Sequence, residues 1–110
     1  AHYHTHRSTR SPSGFPDLVL VGRRVVFLEL KREQGRPTDD QRNWLTALHK
    51  AGAEVYLARP RHLQALTTVL AATGDPHRWG AVQHSAREAL LKERVETIEA
   101  RLARLEMPAS

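Results

Sequence analysis

Residues 14–31, GFPDLVLVGRRVVFLELK, are two apolar runs bracketed by charge. Asp17 to Val21 and Val25 to Leu30 flank Gly22-Arg23-Arg24, the pattern of two β-strands joined by a tight turn. Both faces of each strand are apolar, which predicts cover by helices on both sides rather than a solvated edge. The charged residues are harder to place. With a three-residue turn centred on Arg23, opposed residue numbers sum to 46, so Val21 faces Val25, Val19 faces Phe27 and Asp17 faces Glu29. Lys31 then projects on the same side as Glu29, one step along. Like charges directly opposite each other destabilise a ladder, and an unpaired buried carboxylate is costly. A two-residue turn would slip the register by one and set Asp17 against Leu28, so this gathering of charge depends on turn length.

Working outward, residues 2–8, HYHTHRS, alternate and contain β-formers, predicting a first strand, and STRSPSG, residues 8–14, reads as a loop. After Lys31 the chain is polar as far as Thr38. There Thr38 with Gln41 forms a capping-box pattern, and Asp39 and Asp40 suit the first turn of a helix. That helix should run from about Asp39 to Ala51, bury Trp44, Leu45 and Leu48, and stop at Gly52. EVYLA, residues 54–58, is a strand. Pro60 opens a second helix to about Ala72, with Leu63, Leu66, Val69 and Leu70 on its buried side and Gly74 as its stop. The order predicts an α/β fold, a small mixed sheet flanked by helices. Residues 1–73 form the expected domain and 74–84 an expected linker, in which Trp79 is assigned to packing against the domain. Residues 85–107 are then an amphipathic, coiled-coil-like helix. Its Leu91, Val95, Ile98, Leu102 and Leu105 step by 4, 3, 4, 3, an a/d seam that predicts a homodimer or higher homo-oligomer.

The composition bounds the function. The chain has 110 residues, enough for one small core, and its net charge of +5 lies entirely in residues 1–74, with eleven Lys/Arg against six acids. Arg outnumbers Lys fourteen to three, and its planar fork suits phosphate oxygens, so a nucleic-acid partner and plain solubility both account for the excess. There is no cysteine, which removes disulfide and thiolate-zinc chemistry and is compatible with a cytoplasmic protein. No apolar run is long enough for a membrane span. His2, His4 and His6 alternate on the first strand, but no second ligand cluster lies within reach, so a zinc site is not expected.

Two facing carboxylates in a half-dry setting have a natural neutraliser in a hard divalent cation. Magnesium takes oxygen ligands and needs only one or two carboxylates beside substrate phosphate. A lysine alongside can orient water and oppose developing negative charge, so the trio Asp17, Glu29 and Lys31 suits attack on a phosphodiester. Spacing alone also permits an ordinary ion-pair cluster at the strand ends.

Pro16-Asp17, eleven intervening positions and Glu29-Leu30-Lys31 resemble the PD-(D/E)xK nuclease superfamily. Within it, GFPDLVLV, the short hairpin, FLELKREQGRPTDDQRNWL and GAEVYLARP are similar to the VRR-NUC family of virus-type replication and repair nucleases, over roughly residues 1–72. The resemblance implies a restriction-endonuclease-like sheet and a DNA endonuclease dependent on Mg²⁺ or Mn²⁺. Asp17, Glu29 and the Leu30 carbonyl would bind the metal, Lys31 would assist the water, and Gln41 would support the site. It implies that the first strand, with His6, Arg7 and Ser8, lies beside the site and meets DNA. Arg10, Arg32 and Arg36, in flanking loops, are candidate phosphate contacts. Stand-alone members resemble junction resolvases, so a Holliday junction or flap is the expected DNA, in phage replication or DNA repair and, for a viral protein, in the host-cell cytoplasm. The family core opens with a helix bearing another acid, whereas this sequence starts at Ala1 with nothing before its first strand. A truncated chain, or a member without that helix, is therefore expected. The competing expectation is a module that keeps the fold and binds nucleic acid without cutting it.

Overall fold

Leu18–Val21 (β2) and Val25–Leu30 (β3) pair antiparallel around a three-residue turn, closed by the Gly22 N–H donating to the Arg24 carbonyl at 3.0 Å. Their register sets Val21 against Val25, Val19 against Phe27 and Leu18 against Leu28, which is the sum of 46 read from the sequence. The computed structural model describes residues 3–7 and 13–92. Within them, His4–Arg7 (β1) pairs antiparallel with β2, and Glu54–Ala58 (β4) pairs parallel with β3, giving one mixed sheet in the order β1-β2-β3-β4. The parallel step requires a crossover, which is Asp39–Lys50 (α1).

Apolar residues on both faces of β3 and β4 are answered by helices on both sides. On one face Val55 and Leu57 pack with Leu45 of α1, with Phe27 and Leu48 against them. Phe15 adds edge-on contacts to Phe27 and Trp44, at centroid distances of 5.9 and 5.0 Å. On the other face Leu20, Val26, Leu28, Tyr56 and Ala58 pack with Val69 of Leu63–Ala71 (α2) and with Trp79 and Leu90. Leu90 belongs to a third helix, α3, described over residues 81–92. No helix among the described residues is long and apolar enough to cross a membrane.

Two expectations need correction. Leu63 was placed on the buried side of the second helix, yet it is 68% exposed. A 3₁₀ turn at Pro60–His62 precedes α2, and counting back from fully buried Val69 in steps of 100° puts Ala65, Leu66 and His62 near its face and Leu63 well off it. His62 occupies the seat instead. Residues 74–84 were expected to be a linker, but they contain a 3₁₀ turn at Pro76–Arg78 and the start of α3, and Trp79 is buried in the core. The Trp79 indole N–H donates to the Thr73 carbonyl at 3.1 Å. Of the heptad seam, Leu91 packs against this same core. Val95, Ile98, Leu102 and Leu105 lie outside the described residues.

The hairpin turn itself is pinned. Arg24 forks onto Glu54 through Nε at 2.9 Å and Nη2 at 3.1 Å, donates to the carbonyls of Val69 (2.9 Å) and Ala72, and lies 5.0 Å over the Trp79 ring. Tyr56 Oη donates to the same Glu54 at 2.6 Å. These contacts tie the turn to β4, to α2 and to the segment leading into α3.

Candidate active site

The alternation of β3 turns Phe27 and Glu29 toward α1, so the strand carries its acid into a packed face and leaves Glu29 only 1% exposed. Asp17 stands just before β2, one position past the last ladder pair Leu18–Leu28, with its carboxyl in hydrogen-bonding reach of Glu29. Its Oδ2 accepts from the Leu30 N–H at 3.0 Å. Two local features bring it there. Gly14 takes a left-handed conformation (φ 82°) and lies so close to α1 that a Cβ on it would sit 2.4 Å from the Asp40 carbonyl carbon. Ser13 Oγ donates to Asp40 Oδ2 at 3.0 Å, and buried Pro16 then fixes the approach of Asp17.

Glu29 is poorly served by the protein alone. Its Oε1 accepts one long contact from Gln41 Nε2 at 3.5 Å, and its buried Oε2 meets no N–H or O–H donor, so beyond that contact only a proton shared with the Asp17 carboxylate serves this carboxyl. Burial, and then the hydrogen bond and charge of Asp17, push the Glu29 carboxyl up to about 8, while the Lys31 ammonium opposes the rise. Near neutral pH this carboxyl therefore holds a proton. The arrangement is an acid pair with a nearby cation, as the hairpin register required, that shares one proton and lacks a donor for Glu29 Oε2 when that proton leaves.

Gln41 joins two roles that the sequence presented as alternatives. Its backbone N–H donates to Thr38 Oγ1 (3.1 Å) and its Oε1 accepts from the Thr38 N–H (2.9 Å), completing the capping box. The amide nitrogen at the other end of the side chain is free to reach Glu29. Lys31 is half-buried, and its backbone N–H donates to Ala58 at 3.0 Å, extending the parallel ladder past β3.

The nucleic-acid candidates divide by geometry. His6 pairs with Val19, which pairs with Phe27, so His6 shares the sheet face of Glu29 and is exposed. Arg7 pairs with Leu18, which pairs with Leu28, and therefore belongs to the opposite face. Arg32 and Arg36 are exposed in the loop between Lys31 and α1. Ser8 and Arg10 lie outside the described residues. The side chain of Leu30 is on the face of Leu28, so only its main chain is turned to the site.

Sequence reading missed Arg59. It follows β4, is 7% exposed, and sends Nη1 to the carbonyls of Arg32, Glu33 (3.1 Å) and Gly35 (2.6 Å), while its own N–H donates to His62 Nδ1 at 3.1 Å. The available signal was an arginine directly abutting an apolar strand that is buried on both faces.

Among the described residues no group of three His, Cys, Asp or Glu side chains gathers as a metal-binding cluster, so the acids here number two. Searches of curated proteins and of solved structures returned no match. A family model described as the VRR-NUC domain matches residues 5–62, from β1 through the 3₁₀ turn after β4. That match spans Asp17, Glu29, Lys31, Gln41 and Arg59 and just over half of the 110 residues, and the chain accordingly belongs to the VRR-NUC domain family, a nuclease-type domain acting on nucleic acid.

Proposed function

We propose that this chain is a Mg²⁺- or Mn²⁺-dependent DNA endonuclease that hydrolyses phosphodiester bonds at Asp17, Glu29 and Lys31. The observation that carries the reading is the buried Glu29 carboxyl, set beside a second acid and, once both are ionised, left with no donor for its Oε2. An all-oxygen donor set of one or two carboxylates suits a hard divalent ion, and such an ion would satisfy the orphaned oxygen. Asp17 and Glu29 would hold it, joined by the main-chain carbonyl of Leu30. When bound, the cation supplies Lewis acidity toward the phosphoryl group and toward water.

The chain's own groups do the rest. Glu29 gives up the proton it holds near neutrality, so that both acids carry charge. The Lys31 ammonium orients the attacking water and opposes the charge that builds on the phosphate oxygens. Gln41 keeps the Glu29 carboxyl turned into the site. His6, on the same sheet face, and Arg32 and Arg36, in the adjoining loop, contact neighbouring phosphates, which fixes position without reading sequence. The proposal extends, on the sequence alone, to branched DNA cut by two copies joined through the heptad seam.

One observation favours a binding module that does not cut: the pair of acids has no third acidic or imidazole partner among the described residues. Incubation with linear and branched duplex DNA in Mg²⁺ or Mn²⁺ decides between the two. Cleavage lost in Asp17→Asn, Glu29→Gln and Lys31→Ala supports the nuclease; binding by a folded wild type that never cuts supports the module; cleavage indifferent to all three changes refutes the site.

A further inference from the structure

The loop that leaves the catalytic strand would be expected to wander, since residues 32–37 contain no regular element between β3 and the cap of α1. It is instead tied down from below. Lys31 N–H donates to the Ala58 carbonyl, Glu33 accepts from the Arg61 N–H at 2.6 Å and from Arg61 Nη1 at 2.7 Å, and Arg59 gathers the carbonyls of Arg32, Glu33 and Gly35 onto one buried guanidinium. Gly35 N–H closes the turn onto Arg32 at 3.1 Å. Three main-chain acceptors drawn inward to one cation leave the side chains of Arg32 and Arg36 outside, where both are exposed.

The exposed pair Glu33–Arg61 is the weaker tie, because solvent screens it. Arg59 is the stronger one, since its charge is buried and three main-chain carbonyls converge on it. The loop also joins Lys31 to Thr38 and Gln41, whose amide reaches Glu29. Its conformation thus sets two groups of the site and two basic side chains at once.

We propose that Arg59 is a positioning residue of the nuclease site: by holding the 32–35 carbonyls it keeps Lys31 beside Glu29 and presents Arg32 and Arg36 to the phosphate backbone. The inference rests on the nucleic-acid reading of the site. A lysine here keeps the charge but ends one bond short of the Nη1 position on which all three carbonyls converge, so Arg59→Lys loosens the hold on the loop. Misplacement of catalytic groups by about 1 Å costs on the order of a hundredfold in rate. Loss of one or two phosphate contacts lowers the slope of log K against log salt by about 0.9 for each on duplex DNA.

The test measures binding of the full chain to a fluorescent DNA duplex in Ca²⁺ from low to high salt, together with kcat and KM in Mg²⁺. For Arg59→Lys, with its circular dichroism spectrum unchanged, the expected results are a salt slope reduced by one to two and a kcat reduced at least tenfold. For Arg59→Ala, partial recovery by added guanidinium over matched NaCl is expected. A wild-type salt slope in folded Arg59→Lys overturns the proposal. Binding is read without cleavage, so a wild type that binds but never cuts removes the nuclease reading while leaving the Arg59 result to stand or fall alone. Should the Arg59 variants not fold, trypsin decides on the wild type: slow cleavage after Lys31 and Arg32, accelerated in Arg61→Ala, supports a held loop, and immediate cleavage at both refutes it.

Discussion

Replacing Glu29 by glutamine should make the metal-free protein more stable above neutral pH. In the folded chain the carboxyl is pushed up to about 8 from its ordinary 4.5, chiefly by burial and then by Asp17. Below about pH 4.5 both folded and unfolded chains hold this proton, and the favourable contribution of the neutral buried form is fully present. Between 4.5 and 8 the unfolded chain has lost the proton and the folded chain keeps it, so stability falls with rising pH, by 1.36 kcal/mol for each pH unit. Above about 8 both states are ionised and the loss is complete, on the order of 5 kcal/mol. That is a large share of the roughly 5–15 kcal/mol by which a domain is stable. Glutamine keeps the volume and removes the titration. Urea unfolding in a chelating buffer, from pH 5 to 9, should give curves for the two proteins that diverge steadily up to pH 8 in favour of Glu29→Gln. Manganese at a hundred times its dissociation constant should then return about 2.7 kcal/mol to the wild type and little to the variant. Parallel wild-type and variant curves over this pH range would show that Glu29 is not the desolvated acid its burial indicates. A variant stabilised by manganese as much as the wild type would remove Glu29 from the metal site.

Two further changes probe the supports of the site. Gly14→Ala meets a left-handed backbone, worth about 1–2 kcal/mol on its own, and a contact of 2.4 Å with the main chain of α1. Thermal unfolding should register a greater loss than the backbone term, and an unchanged Tm would mean that the loop does not rest on the helix. Arg24→Ala strips a buried partner from Glu54 and from the carbonyls of Val69 and Ala72, with an expected cost of about 3–5 kcal/mol by chemical denaturation. The companion Arg23→Ala, at an exposed position in the same turn, should stay within about 0.5 kcal/mol of wild type.

The sheet, its register and the acid pair were legible because they follow from parity and turn length. Alternation sends Phe27 and Glu29 to one face, and a three-residue turn sets the sum of paired positions, so Asp17 meets Glu29 without any knowledge of tertiary structure. The capping box was equally local, and from it the start of α1 and the place of Gln41 followed. What escaped depends on contacts distant in sequence. Arg59 acts on carbonyls 24 to 27 positions away. Leu90 joins a core most of whose members stand before residue 73, from a helix whose spacing pointed to assembly, whereas Trp79 packs on the domain as expected. Leu63 was misplaced because an apolar residue near a helix start reads as buried, whereas the preceding 3₁₀ turn rotates the face onto His62. Arg7 parts from His6 because neighbours on a strand face opposite ways, and the resemblance that named both says nothing of faces.

The same parity shows why the far end of the hairpin matters to the site. Hydrophobic patterning fixes a register when a slip would exchange a buried face for a solvated one. Leu18–Val21 offers no such contrast, since it is apolar on both sides, and a slip by one residue would still bury methyl groups. Such a slip would nonetheless turn Asp17 away from Glu29 and leave the buried acid opposite Pro16 or Leu18, according to its direction. Turn length must therefore supply the specificity that patterning lacks. Arg24, the last residue of the turn, is fastened to β4, α2 and the Trp79 ring, so the turn cannot shorten or lengthen without breaking a buried ion pair and exposing or orphaning two carbonyls. An arginine at the end of the sheet remote from Asp17 thereby selects which residue Glu29 faces. The burial of Glu29, unfavourable in itself, is sustained by a fold whose register is set elsewhere.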